Sequence, residues 1–398
     1  MLSLSMVVRD EAERLEDCLR SVEGFVDDIV VVDTGSVDGT PAIAQRCGAR
    51  VHHLPWPGDF APARNHALAL ARGNWVLVLD ADERLRPEAR QPLQALMAAP
   101  DLLLITLLRR ELGAVQSPYS SVSRLFRRLE GIQWSGAYHA MVDDSVAARR
   151  AREPHWRLAA CPVPAIDHDG YRPELLASSG KAARLRAAME AELAERPGDP
   201  YACAKLGALE VSEGRQGRGI ALLKLGLARC PTTAHNERFE LLLHLAIALA
   251  ASDGGRAADL YGQALALPLD GRLTLAARLN LAALRLAAGD AAAAAALAED
   301  ATMLAPEVAC GWSSLGLARR RQGRLPEAIA AYRQAIDLAP SQPEYHQNLA
   351  AALLLAGDIV GARRGFRTAI SLLEGQGQAA VAADLARRVG AMVNLDDA

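Results

Sequence analysis

The sequence predicts two architectures in series: an α/β domain on a doubly wound, mostly parallel sheet, then an all-α repeat solenoid. Three observations carry that reading. Up to about residue 175, short β-branched runs alternate with segments of helical spacing, the order that yields parallel strands covered by helices. From about residue 198 the strands vanish, the chain becomes Ala/Leu-rich, and a period of 34 residues emerges. The stretch GNWVLVLDADERL, residues 73–85, drops from an apolar run straight into Asp80, Asp82 and Glu83. Charged residues avoid the end of a buried strand unless something compensates them.

In the first part DDIVVVDTGS, GARVHHLPW, NWVLVLDAD and DLLLITLLRR read as strands. DEAERLEDCLRSV, PAIAQRCG, APARNHALALARG and PEARQPLQALMAA read as helices, with Gly48 and Gly73 where left-handed helix ends are expected. Asp38 and Gly39 form a turn, Thr40 suits an N-cap and Pro41 the first helical position. Ligands of such sheets gather at the carboxyl ends of the strands, so Asp33 and Asp80 are expected at one edge. If the strand runs on through Asp80 and Asp82, both carboxylates face one side, and hard oxygen donors there suit Mg²⁺ or Mn²⁺. His52 and His53, being adjacent in a strand, face opposite ways and do not make a joint metal site. SPYSSVS, residues 117–123, reads as a polar, mobile loop.

In the second part Leu281, Leu315 and Leu349 fall in register, as do Gly289, Gly323 and Gly357, and Pro306 with Pro340. The cleanest copy, WSSLGLARRRQGRLPEAIAAYRQAIDLAP, resembles the tetratricopeptide repeat (TPR) at Trp312, Leu315, Gly316, Ala328, Tyr332, Ala335 and Pro340. Weaker copies stand at Leu206, Gly207, Gly214 and Pro231, and around Ala257, Tyr261 and Ala264. About five repeats and a terminal capping helix are expected.

Length and charge set the outer bounds. The 398 residues allow two or three domains, and a net charge of -3 speaks against a nucleic-acid partner. No apolar run approaches the roughly 20 residues of a transmembrane helix, and MLSLSMVVRDEAERL lacks the features of a signal peptide. Six cysteines without a Cys-x-x-Cys pair fit reduced thiols, so a cytoplasmic location is expected.

Taken together, SMVVRDEAERLEDCLRSV, DDIVVVDTGSVDGTPAIAQRCGARV, DFAPARNHALALARGNWVLVLDADE and SRLFRR resemble a family 2 glycosyltransferase of the GT-A type. The nearest subgroup is the sublancin-type peptide S-glycosyltransferases, some of which carry TPR arrays. The expected domains are 1–185 for the GT-A-like part, 186–375 for the TPR array and 376–398 for a capping helix and tail. The resemblance implies a nucleotide-sugar donor of UDP type, a Mn²⁺ or Mg²⁺ cofactor, and transfer with inversion. It implies that Arg9 and Glu11 line the nucleoside pocket, with Asp10 where Asn is more usual, and that Asp33 binds base or ribose. Arg64 would lie near the diphosphate, Asn65 would support its loop, Asp80 would contact ribose or metal, Asp82 would be the main metal ligand, and His168 would complete the metal site.

One departure concerns the acceptor. The subgroup carries Gly-x-x-His-Glu after RLFRR; here GAYHAMVDD keeps Gly136 and His139 but has Ala140 in the acidic position. Asp143, Asp144 or His139 then stands as the substitute general base, unless a thiol acceptor, ionising near ~8.5, relaxes the need. The expected acceptor is a peptide or protein in the TPR groove. A cell-envelope, lipopolysaccharide-type glycan is the alternative, as is a TPR scaffold with a degenerate sugar-nucleotide domain. Self-association of the array into a homodimer stays open.

Overall fold

A computed structural model describes residues 1–114, 118–136, 140–169 and 181–395. The chain divides into two units, Met1–Ala194 and Glu195–Ala398.

The first unit is built on one sheet. Its strands are β1 (Leu2–Val8), β2 (Asp28–Asp33), β3 (Arg50–His53), β4 (Trp75–Val78), β5 (Glu83–Leu85), β6 (Leu102–Glu111), β7 (Tyr119–Arg127) and β8 (Arg157–His168). They lie in the order β3-β2-β1-β4-β7-β6-β8-β5. The strands β3, β2, β1 and β4 are parallel, and helices α1 (Leu15–Ser21), α2 (Thr40–Arg46) and α3 (Phe60–Leu70) connect them. Beyond β4 the sheet is mixed. The link from β6 to β7 is too short for the crossover that parallel pairing needs, so β7 runs antiparallel to both β6 and β4. The longer path to β8, through α5 (Asp143–Arg152), restores a parallel pairing with β6, while β5 closes antiparallel on β8. The apolar runs are explained by burial: Leu4, Met6, Val31, Leu77 and Leu79 are wholly enclosed with Leu15 of α1 and Leu93 of α4 (Pro87–Met97).

Three local expectations change. Gly48 does take the left-handed conformation, with φ of 81°, but Gly73 does not. Gly73 is there because backbone crowds it: a Cβ would stand 2.6 Å from the Ser3 amide nitrogen. Thr40 opens α2 instead of capping it; Asp38 Oδ1 accepts from the Thr40 amide at 2.9 Å, and the Thr40 hydroxyl accepts from the Glu11 amide at 2.8 Å. The 117–123 segment is not a loop over its described length, because Tyr119 begins β7 and ladder bonds to β6 outweigh its polar composition. Residue 117 lies outside the described residues.

The second unit is a run of helix pairs. They are Pro200–Ser212 with Gln216–Arg229, His235–Leu249 with Gly254–Leu265, and Leu275–Ala287 with Ala291–Leu304. Ala309–Arg321 with Leu325–Leu338 and Pro343–Leu355 with Ile359–Gly375 follow, and Ala379–Gly390 ends the run. The 34-residue glycines make the turn inside each of the last three pairs: Gly289, Gly323 and Gly357 all have positive φ, which a side chain would strain. Gly316 has another reason, since a Cβ would lie 2.7 Å from the ring of the fully buried Tyr332. Second helices stop at Leu304 and Leu338, and Pro306 and Pro340 keep the residue before them extended. No described helix is long and apolar enough to cross a membrane.

Candidate active site

Parallel strands β1, β2 and β4 end at one edge of the sheet, and most of the residues singled out by sequence collect there. Asp33 closes β2 and is 3% exposed. Its carboxylate accepts from the Gly35 and Ser36 amides and meets His53 Nδ1 at 3.2 Å. Burial works against ionisation, but those bonds hold the Asp33 pKa below the ordinary value. Asp33 therefore shapes its own loop. Arg9 is exposed, with Nε 3.8 Å from Asp10. Asp10 has φ of 53°, the left-handed region that Asp and Asn tolerate better than other side chains, which accounts for an Asn-like position here.

The Asp80–Asp82 geometry differs from a continuous strand. β4 stops at Val78, and the Glu83 amide donates to the Asp80 carbonyl at 3.0 Å, closing a turn that sends the two carboxylates to different partners. Asp80 takes two guanidiniums: Arg64 Nη2 donates to Oδ1 and Arg124 Nη2 to Oδ2, each at 2.8 Å. Burial opposes ionisation, but 38% of the Asp80 side chain remains open, and the two arginines hold its pKa well below the carboxylate range. Asp82 faces the other way, with Oδ2 3.4 Å from His168 Nε2 and 3.9 Å from Arg14 Nη1. Arg14 also donates to Glu11 Oε2 at 2.6 Å. Burial raises the Glu11 pKa, Arg14 pulls against it, and the charges of Asp82 and Asp80 add to the rise.

Behind these residues lies a second set, Glu83 with Arg109, Glu111 and Arg124, of which only Glu83 stands out in the sequence. Glu83 is fully buried and accepts from the Asp80 amide, from Arg109 Nη1 at 2.7 Å and from Arg124 Nη1 at 3.4 Å. Arg109 also donates to Glu111 Oε1 at 2.9 Å, and Glu111 Oε2 sits 2.5 Å from His168 Nδ1. The compensation that the acidic strand end calls for is thus a connected chain of ion pairs running from Arg64 through Asp80, Arg124 and Glu83 to Arg109 and Glu111. It continues through His168 to Asp82. His168 is disfavoured as a cation by burial, but Asp82 and Glu111 push its pKa up to about 9. The signal was in the sequence: Arg109, Glu111 and Arg124 are charges at the ends or within strand runs, the same anomaly that drew notice to Asp80.

Arg64 is 9% exposed, stacks on Trp134 at 4.8 Å, and leaves Nη1 buried without a hydrogen-bond partner among the described residues. Asn65 fixes that stack by exchanging two bonds with the Trp134 backbone, at 3.0 and 2.8 Å. Asp143 and Asp144 open α5; Asp143 Oδ1 accepts from Ser123 at 2.8 Å and Asp144 Oδ2 from Ser135 at 3.1 Å. Crowding by surrounding protein raises the Asp143 pKa against the Ser123 bond, although the residue is exposed and water limits that push. His139 lies outside the described residues.

Among the described residues no group of three or more His, Cys, Asp or Glu side chains converges on one point. The Asp82 and His168 donor atoms, 3.4 Å apart, are close to the ~3 Å that separates neighbouring ligands of an octahedral ion at ~2.1 Å. Two protein donors suffice where substrate phosphates and water supply the rest, so the residues present fit a divalent cation.

This sheet edge sets a buried guanidinium, one of whose nitrogens has no hydrogen-bond partner among the described residues, beside an acidic–histidine pair, the elements of a site for an anion and a cation. The family comparisons narrow that reading. The model for "Glycosyl transferase family 2" matches residues 3–152, and "TPR repeat" matches 316–357. The TPR repeat-containing protein Synpcc7942_0270 of Synechococcus elongatus is 44% identical over 378 residues, covering 94% of this chain and 93% of that protein. An uncharacterized glycosyltransferase of Rickettsia felis is 29% identical over 136 residues, 32% of this chain and 48% of its own length. The SPbeta prophage-derived glycosyltransferase SunS of Bacillus subtilis is 25% identical over 150 residues, 35% of this chain and 34% of its own. The chain belongs to the family 2 glycosyltransferases, in the form that carries a C-terminal TPR array. The family match ends at residue 152, so β8 and His168 lie beyond it.

Proposed function

We propose that this glycosyltransferase is metal-dependent, takes its sugar from a UDP-type nucleotide donor, and passes it with inversion to a peptide or protein recruited by the TPR array in the cytoplasm. The observation that carries the reading is the buried, unpartnered Nη1 of Arg64 on a guanidinium that Asp80 and Trp134 hold in place. A donor group so placed costs stability until an anion meets it, and a diphosphate is the anion this family handles.

The side chains divide the work. Arg64 offers Nη1 to the departing diphosphate, while Asp80 and Arg124 keep it from swinging away. Asp82 and His168 would hold Mn²⁺ or Mg²⁺, the imidazole favouring Mn²⁺ of the two. A cation so bound supplies Lewis-acid neutralisation of the leaving group. Glu11, with Arg14, and the backbone near Arg9 border the nucleoside. Asp143 takes the acceptor proton in place of the acid missing at Ala140, its raised pKa and Ser123 bond suiting a general base, and Asp144 and His139 are the other candidates.

The array supports a peptide acceptor through two hollows. One, of about 460 Å³, is lined by Lys224, Leu227, Leu245, Asp253, Arg256 and Gln263. The other, of about 360 Å³, is lined by Trp312, Leu315, Arg319, Glu327 and Gln334. Both are lined by apolar and charged residues together, a mixture that can meet both the apolar and the polar groups of a peptide.

The test is UDP release by the full chain from a panel of UDP-sugars, with Mn²⁺ and with EDTA, in the presence of a tryptic peptide mixture read by mass spectrometry. A metal-dependent hexose-sized mass gain on peptides, lost in Asp143→Asn, is expected. Release without Mn²⁺, or transfer only to added lipopolysaccharide, would contradict the reading.

A further inference from the structure

We propose that Glu111 is a positioning residue for the cation site: it holds the Nδ1 proton of His168 and thereby fixes Nε2 as the atom offered to the metal. The inference rests on the metal-dependent reading above and assigns a role to a residue that lies outside it.

Four observations carry it. Glu111 and His168 are the last residues of neighbouring parallel strands and are paired in register, so their side chains emerge side by side from one face of the sheet. The backbone locks that level, because the Leu112 amide donates to the His168 carbonyl at 2.9 Å. The Glu111 side chain is 3% exposed, and its oxygens are divided. Oε1 accepts from Arg109 and from the Ser120 hydroxyl, which leaves Oε2 for His168 Nδ1 at 2.5 Å. The opposite ring nitrogen, Nε2, is then the one that faces Asp82 at 3.4 Å. An imidazole whose Nδ1–H is held by a buried carboxylate cannot flip without breaking that bond, and it presents one nitrogen only.

The arrangement makes chemical sense for a cation held by few protein donors. With one carboxylate and one imidazole, each donor's orientation counts heavily, and a negative partner on Nδ1–H strengthens Nε2 as an electron-pair donor. Outer partners of this kind typically alter metal affinity by about 10–100-fold. Arg109 and Ser120 in turn hold the carboxylate, so the chain Ser120–Glu111–His168 delivers a rigid donor from three strands of one sheet.

The experiment measures Mn²⁺ affinity by electron paramagnetic resonance of the free ion, with UDP present, in the full-length wild type and in Glu111→Gln. UDP affinity without metal is measured alongside. Glu111→Gln is expected to weaken Mn²⁺ binding by about 10-fold or more while metal-free UDP binding stays the same. A merely structural role would lower the melting temperature and leave the Mn²⁺ affinity of the folded variant unchanged, and that result overturns the proposal. If the wild type binds Mn²⁺ and only the variant comparison fails, Glu111 alone is wrong. If the wild type with UDP binds no Mn²⁺, the metal reading falls and Glu111 with it. Should Glu111→Gln fail to fold, nitrogen-15 spectra of wild type with Mg²⁺ and UDP decide: a proton on Nδ1 and none on Nε2 of His168 supports the proposal, and the reverse tautomer overturns it.

Discussion

The two units of this chain bury different things. In the sheet unit, buried charge is connected charge: Glu83, Glu111, Arg109 and Arg124 are enclosed behind the strand ends and answer one another. In the helical unit, what is buried is mostly Ala, Leu and Tyr, as in Ala328, Tyr332 and Ala335, repeated from pair to pair. A buried ion network is poor value as stabilisation, since desolvation offsets most of its attraction. Its concentration at one edge of the sheet unit, against isolated buried carboxylates such as Asp28 and Glu210 elsewhere, marks where more than packing constrains the sequence. The helical unit, by contrast, is constrained by packing, and neighbouring pairs share the load.

That contrast can be broken or sharpened by substitution. The largest effect is expected from Glu83→Gln, which leaves Arg109 and Arg124 short of a wholly buried counter-charge; a loss of about 3 kcal/mol in urea unfolding of the sheet unit is expected. A loss below about 1 kcal/mol would mean the network relaxes easily. Next comes Arg64→Ala, which removes the donor proposed to meet the leaving group; kcat should fall by about 10²–10³-fold with little change in melting temperature. An unchanged kcat would place the diphosphate elsewhere. Gly316→Ala should cost about 1–3 kcal/mol in the helical unit by forcing a methyl into Tyr332, while UDP binding stays at the wild-type level.

The smallest effect is a pH dependence away from the active edge. Asp28 resists ionisation through burial, but bonds from Ser3, Arg50 and the Arg72 amide lower its pKa below the ordinary value. A carboxylate depressed in the folded state stabilises above its unfolded pKa, and that stabilisation is lost as pH falls through the folded pKa. The stability gap between wild type and Asp28→Asn should therefore be widest near neutrality and close below about pH 4. A gap that stays constant down to acid would remove Asp28 from the account.

What the sequence makes legible follows the same division. Repeats announce themselves, because Gly289, Gly323 and Gly357 must each make the same left-handed turn and Tyr332 needs a glycine opposite it. The parallel half of the sheet is legible from its βα alternation. The antiparallel β7 is not, because its first residues, 119–123, are largely polar and their strand state is imposed by pairing with β6. At the active edge Asp80, Asp82, Arg64 and His168 carry visible motifs. Their spatial division does not show in sequence, since a single turn bond from the Glu83 amide to the Asp80 carbonyl sends one carboxylate to arginines and the other to histidine. Glu111 and Arg109 stand out in sequence only as charges in a strand run, and the pairing of Glu111 with His168 shows only once β6 and β8 are set in register.

The most direct test of the central claim is the thermal shift of the full chain with UDP, with and without Mn²⁺, in wild type and in Asp82→Ala. At a hundred times its dissociation constant a ligand of the folded state adds about 2.7 kcal/mol. An upward shift with UDP that grows with Mn²⁺ is expected in the wild type, with a Mn²⁺-dependent increment that is absent from Asp82→Ala. A wild-type shift that ignores Mn²⁺, or no shift with UDP at all, would contradict the claim.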